Sequence, residues 1–256
     1  MNRRTFILTT TAAVVPTLGI HAQLIRNNLE EEHQGDIDAP TETLKITDDA
    51  LKRAMKLRTL ASQQAKAGKD PEAFALEMLK IAESHAARGV TRRSEPKQVA
   101  RYLNLFDLDE DGDLCYGKGG KEVIPFCACG VSYAASLAHG RLNDSSPLDA
   151  VKRASEEVSQ SYFLCDSAVA AIRADAEQRK TWRDAAQRPK PKAGWLIVFR
   201  FTGGNHIGLV KEFHGDSLTT VEFNTKGSSG DQRNGGCVLV KPRPIDKTVK
   251  GYVALY

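Results

Sequence analysis

The sequence predicts an α+β fold in which helices precede, and pack on, an antiparallel β-sheet. Between residues 47 and 183, apolar residues recur at intervals of three and four, which is the spacing of one helix face. After the Pro- and Lys-rich segment 189–194, the pattern changes to the short apolar runs that are typical of strands. The chain of 256 residues shows no internal repeat and is long enough for one good-sized domain with extensions.

The N-terminal segment has the layout of an export signal. Arg3 and Arg4 precede a mostly apolar stretch that ends at Ile20, and Ala22 offers a small residue for cleavage. Residues 2–7 resemble a twin-arginine signal, which is read as an address. We therefore expect residues 1–22 to be removed and the mature protein to be periplasmic or secreted. No integral membrane span is expected afterwards, because the apolar stretch is shorter than the roughly 20 residues that a spanning helix needs.

The remaining chain divides into three parts. Residues 23–46 are polar and Glu-rich, which predicts a flexible tether. Residues 47–95 form a helical N-terminal segment, in which Asp70 can cap a helix that begins at Pro71. Residues 96–256 form the main domain. Its predicted helices begin at 96 and near 126 and span 147–160 and 167–183, and its predicted strands are 195–201, 206–213, 218–224, 237–240 and 252–255.

Charge argues against nucleic acid as a partner. The formal net charge is only +4 at pH 7, and the chain has no dense Lys/Arg block with interleaved aromatic residues. This mild balance permits contact with an anionic cell wall, although a solvated surface of mixed charge explains it equally well.

Cys127 is a candidate nucleophile because it follows Pro125 and Phe126 at the start of a predicted helix. A thiol in this position faces unpaired backbone N–H groups and the positive end of the helix dipole, which favour the reactive thiolate. The same N–H groups can stabilise an oxyanion during acyl transfer. The alternative for this segment is a buried structural cysteine.

Three polar residues of the predicted strands could complete a catalytic site. His206 lies at the mouth of a strand after a glycine-rich bend, where it could act as a general base. Glu222 and Asn224 share one strand face, because side chains alternate, and either could orient the imidazole. Each residue alone is also compatible with a structural histidine or a solvated strand face.

In order along the chain, these segments resemble the papain-like cysteine, histidine-dependent amidohydrolase/peptidase (CHAP) family. Residues 125–128 look like its nucleophile segment, which opens with Pro–aromatic–Cys–Ala. Residues 191–199 are similar to its first strand and residues 205–210 to its histidine strand. Residues 221–225 resemble its Glu-x-Asn strand and residues 251–253 its closing strand. The resemblance covers roughly residues 96–256 and implies a CHAP-like catalytic domain there.

The resemblance implies that Cys127 is the nucleophile, His206 the base, Glu222 the residue that orients the base, and Asn224 a fourth polar partner. It implies an exported hydrolase that cleaves an amide bond in peptidoglycan peptides, as an N-acetylmuramoyl-L-alanine amidase or an endopeptidase. The second thiol, Cys129, and Gly130 stand where other members carry larger or apolar residues. The alternative function is a non-catalytic, calcium-dependent wall-binding or interaction module on the same fold.

An acidic loop at residues 107–113 precedes the nucleophile segment. It matches the opening of an EF-hand calcium loop, in which oxygen ligands alternate and a glycine allows a sharp turn. Lys118 occupies the position of the usual bidentate Glu. No cofactor is expected to be required, and a solvated acidic turn is the alternative to calcium. The candidate calcium ligands are Asp107, Asp109, Asp111 and Asp113.

The chain contains five cysteines. In an exported protein this odd number leaves at least one thiol free or paired with another chain. If Cys127 is free, up to two disulfides could form, with a connectivity that the sequence does not determine. The remaining cysteines are Cys115, Cys129, Cys165 and Cys237.

A catalytic triad of Cys127, His206 and Glu222 also constrains how the predicted strands 206–213 and 218–224 pair. A regular four-residue loop would pair Phe213 with Leu218 and place His206 and Glu222 on opposite faces of the sheet. We therefore predict an odd-length loop or a β-bulge between His206 and Asn224.

Overall fold

The computed structural model describes residues 70–109, 124–226 and 235–256, which form the predicted α+β fold. Its helices precede its sheet in the chain and share a hydrophobic core with it. The helices are α1 (Pro71–Ala87), α2 (Pro96–Asn104), α3 (Cys127–Gly140), α4 (Leu148–Ser161) and α5 (Val169–Gln178). The strands are β1 (Trp182–Asp184), β2 (Leu196–Phe201), β3 (Gly204–Phe213), β4 (Ser217–Thr225), β5 (Cys237–Pro244) and β6 (Val249–Val253), and a 3-10 turn occupies Ala185–Gln187.

Several sequence predictions lie outside the described residues. These are the export signal at 1–22, the tether at 23–46, the helix expected between 47 and 69, and the loop residues Asp111, Asp113 and Cys115.

The strands form one antiparallel sheet in the order β1-β6-β2-β3-β4-β5. Both faces of its centre are buried. Leu196 and Val198 face the core that the helices share, and Ile197 and Phe199 face a second hydrophobic cluster. Side chains alternate between the faces of a strand, and so burial on both faces explains why β2 is a continuous apolar run.

The long outer strand, β5, is protected along its free edge. The Val238 N–H donates to the Val90 carbonyl at 2.9 Å, and Thr91 forms an isolated bridge with Cys237. The later half contains Pro242 and Pro244, which have no N–H to offer to another strand. Covering by a loop and the use of proline are both common ways to prevent edge-to-edge association.

The helix starts follow their sequence signals. Pro71 is the first residue of α1, and the Asp70 side chain accepts a hydrogen bond from the Glu72 N–H at 3.0 Å, as predicted. Pro96 likewise begins α2. Phe74, Met78 and Leu79 of α1 belong to the same core as α3 and the sheet.

The prediction of a helix over residues 167–183 is wrong at its end. Helix α5 stops at Gln178, Lys180 adopts a left-handed conformation with φ of 61°, and Trp182 opens strand β1. Trp182 pairs with Val253 of β6, and its ring packs where a side chain on Gly251 would otherwise lie. This long-range pairing overrides the local helical pattern.

Gly130 allows helix α3 to approach strand β4 closely. A Cβ atom at this position would lie 2.2 Å from the ring of Phe223, far inside van der Waals contact. Gly130 lies one turn from the start of α3, and so the same contact fixes the height of Cys127 above the sheet. A glycine at position 130 is therefore a packing requirement of this helix.

We predict that Gly130→Ala destabilises the protein by about 1–3 kcal/mol, because the helix and the strand must separate to admit the methyl group. Gly140→Ala is the matched control in the same helix, since its new Cβ would chiefly meet the flexible side chain of Leu142. Urea unfolding of both variants measures the difference. Equal losses in the two variants would contradict the packing explanation.

Candidate active site

Cys127 is the first residue of helix α3, and Phe126 is its N-cap. The Gly130 N–H donates to the Phe126 carbonyl at 2.8 Å and closes the first turn. Cys127 is 6% exposed, and its thiol lies close enough to the imidazole of His206 to raise the pKa of that imidazole. The first backbone N–H groups of a helix have no partner within it, so this end is suited to stabilising negative charge. Sulfur, base and N–H donors therefore meet at one point.

His206 and Glu222 contact each other in the interior of the sheet. Nε2 of His206 lies 2.9 Å from Oε2 of Glu222, and both side chains are buried. Gly208 pairs with Glu222 across the strands, and a Cβ on Gly208 would lie 2.9 Å from Cγ of Glu222. The glycine thus leaves room for the carboxylate.

A β-bulge gives the two residues a common face, as the sequence predicted. The β3–β4 connection pairs Phe213 with Leu218, which is the even-length arrangement. The pairing then shifts between Val210 and Glu212, so that the extra residue, Lys211, reverses the alternation of side chains. Without this bulge, Glu222 would point away from the imidazole.

The ionisation of Glu222 determines which nitrogen of His206 carries the proton. Burial raises the pKa of Glu222, but hydrogen bonds and charge from Arg243 and His206 outweigh it and hold this pKa well below its usual range. An ionised carboxylate can only accept hydrogen bonds, and therefore Nε2 of His206 must donate. Nδ1 is the remaining nitrogen and is the atom available to exchange a proton with Cys127.

The imidazole of His206 readily holds a second proton. Burial works against protonation, but hydrogen bonds with Cys127 and Glu222 and their charges raise the pKa of His206 to about 9. In general, an imidazolium next to a cysteine stabilises the thiolate form of the cysteine. The geometry thus suits a thiolate–imidazolium pair with a carboxylate behind it.

Arg243 of strand β5 is a member of the site that the sequence analysis missed. Its Nε donates to Oε1 of Glu222 and its Nη2 to Oε2, each at 2.6 Å. The predicted strand ended at Val240, because Pro242 and Pro244 mark a strand end or an edge. The sequence would have placed Arg243 beside β4 only if the predicted strand had been continued through these prolines.

Asn224 is linked to the segment that precedes Cys127. It is fully buried, adopts a φ of 55°, and its Oδ1 accepts a hydrogen bond from Nη2 of Arg92 at 3.2 Å. Nη2 of Arg92 also donates to the Ile124 carbonyl, and its guanidinium lies 4.8 Å from the centre of the Phe126 ring. Arg92, which no sequence motif indicated, therefore connects Asn224 to the N-cap of α3.

The environment of the other thiols separates them from Cys127. Cys129 is fully buried, and burial raises its pKa well above the usual value for a thiol. Burial likewise raises the pKa of Cys165 to about 12. Cys127, Cys129, Cys165 and Cys237 are all free thiols, so no disulfide forms among these four. The contact with His206 favours Cys127 over Cys129 as the nucleophile.

The predicted calcium ligands are only partly within the described residues. Asp107 forms an ion pair with Lys152, and the Asp109 N–H donates to Oδ1 of Asn104 at 2.9 Å. In the part of the chain that the structure describes, no three potential metal-ligating side chains gather into a cluster. Calcium binding stays a prediction for the loop as a whole.

Comparison with known proteins assigns no family to the chain. No protein-family model matches it, and neither does any curated protein or solved structure. Among residues 70–109, 124–226 and 235–256, no helix has the length and apolar character to cross a membrane.

The pKa of His206 predicts how stability depends on pH. The folded-state pKa of about 9 exceeds the usual 6.5, so protonated His206 stabilises the fold fully below about pH 6.5 and this contribution is lost through pH 9. The wild-type melting temperature should therefore fall more between pH 6.5 and 9.5 than that of His206→Gln. His214→Gln, at an exposed turn, is the control and should keep the wild-type slope. Parallel slopes for wild type and His206→Gln would contradict the assignment.

Proposed function

We propose that this protein is an exported cysteine amidohydrolase that cleaves an amide bond in peptidoglycan peptides. One observation carries the chemical part of the proposal: a helix-N-terminal thiol beside a buried histidine, which is in turn hydrogen-bonded to an ionised carboxylate. These groups occupy the three roles of nucleophile, base and orienting residue.

The reaction begins when Nδ1 of His206 takes the proton of the Cys127 thiol. The sulfur attacks the amide carbonyl carbon and forms a C–S bond, and backbone N–H groups at the start of α3 stabilise the oxyanion. The imidazolium then gives its proton to the leaving amine as the C–N bond breaks. Water attacks the resulting thioester while His206 accepts its proton, and that proton returns to the sulfur as the acid is released.

The substrate class rests on the resemblance to the CHAP family. Residues 125–128, 205–210 and 221–225 match its nucleophile, histidine and Glu-x-Asn segments in the right order, and the N-terminus has the layout of an export signal. These features support a wall-peptide substrate, with the protein acting as an N-acetylmuramoyl-L-alanine amidase or as an endopeptidase. Its site of action is then the periplasm or the exterior.

A second candidate function is a non-catalytic, calcium-dependent module that binds the cell wall. The acidic loop at residues 107–113 favours it, since alternate Asp residues are typical of calcium loops. The intact Cys127–His206–Glu222 arrangement favours catalysis, because a pure binding module has no need of a buried thiol beside a histidine–carboxylate pair. Calcium at the loop is compatible with both functions.

We predict that Cys127→Ala abolishes release of fragments from purified peptidoglycan, because the covalent step is lost. Cys129→Ala should retain most of the activity, since this buried thiol has no role in the steps above. The substitution removes only one sulfur atom from the core. Mass analysis of the released fragments measures activity and also identifies the bond, because an amidase frees the peptide from the sugar whereas an endopeptidase cuts within the peptide.

The converse result, with activity in Cys127→Ala and none in Cys129→Ala, would overturn the assignment of the nucleophile. If the folded wild-type protein releases nothing from any peptidoglycan, with or without millimolar calcium, the binding-module function replaces the hydrolase.

A further inference from the structure

Glu222 lies in an unusually complete set of hydrogen bonds for a residue whose task is to orient a histidine. Oε1 accepts from the Thr220 hydroxyl at 2.7 Å and from Nε of Arg243 at 2.6 Å. Oε2 accepts from Nη2 of Arg243 at 2.6 Å and from Nε2 of His206 at 2.9 Å. The carboxylate is wholly buried, so these donors replace its water shell.

The side chain of Arg243 is itself held in a fixed position. Its guanidinium lies 5.3 Å and 5.4 Å from the ring centres of Phe199 and Phe201, and the side chain is 14% exposed. Pro242 and Pro244 flank it in the chain. Proline fixes its own φ and restricts the residue before it to extended conformations, so Pro244 constrains the backbone of Arg243 and Pro242 has a fixed φ of its own.

The result is a line of alternating charges from the edge strand to the nucleophile. In the thiolate–imidazolium state, the order is the Arg243 cation, the Glu222 anion, the His206 cation and the Cys127 anion. The four charges sum to zero. Without Arg243 the other three groups would carry a net negative charge, which burial makes costly.

We propose that Arg243 is a positioning residue of this site: acting through Glu222, it fixes the carboxylate toward His206 and sets the pH range in which Cys127 is reactive. The proposal rests on the proposed function only in taking Cys127 and His206 as the reacting pair. It does not depend on which amide is cleaved.

The direction of the pH effect follows from the charges around the carboxylate. Those facing it are His206 of β3, Arg243 and Lys241 of β5, and Cys127 of α3 beyond the imidazole. Burial raises the pKa of Glu222, and the Arg243 cation lowers it. Removing that cation therefore raises the pKa of Glu222, which takes up a proton at a higher pH than before. A protonated Glu222 no longer supports the imidazolium. The acid limb of Cys127 reactivity must therefore move to higher pH.

The test is the rate of Cys127 alkylation by iodoacetamide as a function of pH, followed by fragment mass spectrometry, which separates Cys127 from the other thiols. In Arg243→Gln the pH of half-maximal rate should rise by about one unit or more, the effect of removing an adjacent charge. Arg243→Lys keeps the charge but not the two-pronged contact. It should keep the wild-type midpoint to within a few tenths of a unit, with a several-fold lower rate of peptidoglycan hydrolysis.

Two controls test whether Arg243 acts on Cys127 through Glu222. Arg183→Gln removes an exposed cation that donates to the backbone carbonyls of Lys180 and Trp182 in the same sheet, and should leave the midpoint unchanged. In a Glu222→Gln background, Arg243→Gln should move the midpoint much less than in the wild type, because the coupled partner is gone.

An unchanged midpoint in a folded Arg243→Gln variant, or an equal shift with and without Glu222, would overturn the proposal. If Arg243→Gln does not fold, an unchanged rate of peptidoglycan hydrolysis in Arg243→Lys, relative to an active wild type, overturns it instead. Alkylation requires no substrate, so a normal alkylation result combined with no peptidoglycan cleavage would count against the proposed function alone.

Discussion

An ionised carboxylate without access to water must be compensated by its neighbours, and in this protein the carboxylate of Glu222 imposes that requirement on four segments of the chain. Strand β4 supplies Thr220, β3 supplies His206, and β5 supplies Arg243. Helix α3 completes the set through the contact between Cys127 and His206. The position of each element is therefore tied to a single charge. A shift of any one strand would leave that charge partly unpaired, at a cost of several kcal/mol for a buried ion.

The two faces of β4 make different kinds of contact, one polar and one hydrophobic. Glu222 faces the imidazole, while its neighbour Phe223 turns to the helices and fills the space left by Gly130. The bulge at Lys211 makes this division possible, because it reverses the alternation in β3 between the hairpin loop and His206. Hydrophobic packing thus fixes the distance between α3 and β4, and strand pairing fixes the direction of the polar side chains.

Local signals in the sequence predicted much of this arrangement. Pro71 and Pro96 mark helix starts, the change in apolar spacing marks the sheet, and the requirement that His206 and Glu222 meet predicted the bulge. Features that depend on distant partners were missed. Strand β1 forms only because β6 pairs with it, against a helical pattern.

Arg92 and Arg243 show the same limit for the site itself. Arg92 lies 132 positions from Asn224, its partner, and Arg243 lies 21 positions from Glu222, in a stretch where two prolines argue against a strand. An arginine in a sequence gives no indication of which carboxylate or amide it binds, because its long side chain can reach partners on several elements. Nothing in the local pattern distinguishes these two from the exposed arginines.

The placement of Cys129 within α3 has a consequence for oxidative damage. Residues two positions apart in a helix project to different sides, so Cys129, buried against the core, cannot turn toward the sulfur of Cys127. If Cys127 is oxidised to a sulfenic acid, Cys129 cannot condense with it to form a protective disulfide. Reduction of the sulfenic acid must then come from a thiol other than Cys129 or from a separate reductase, because oxidation beyond it to the sulfinic acid is not reversed by thiols. Cys129, although only two positions away in the sequence, offers Cys127 no redox protection.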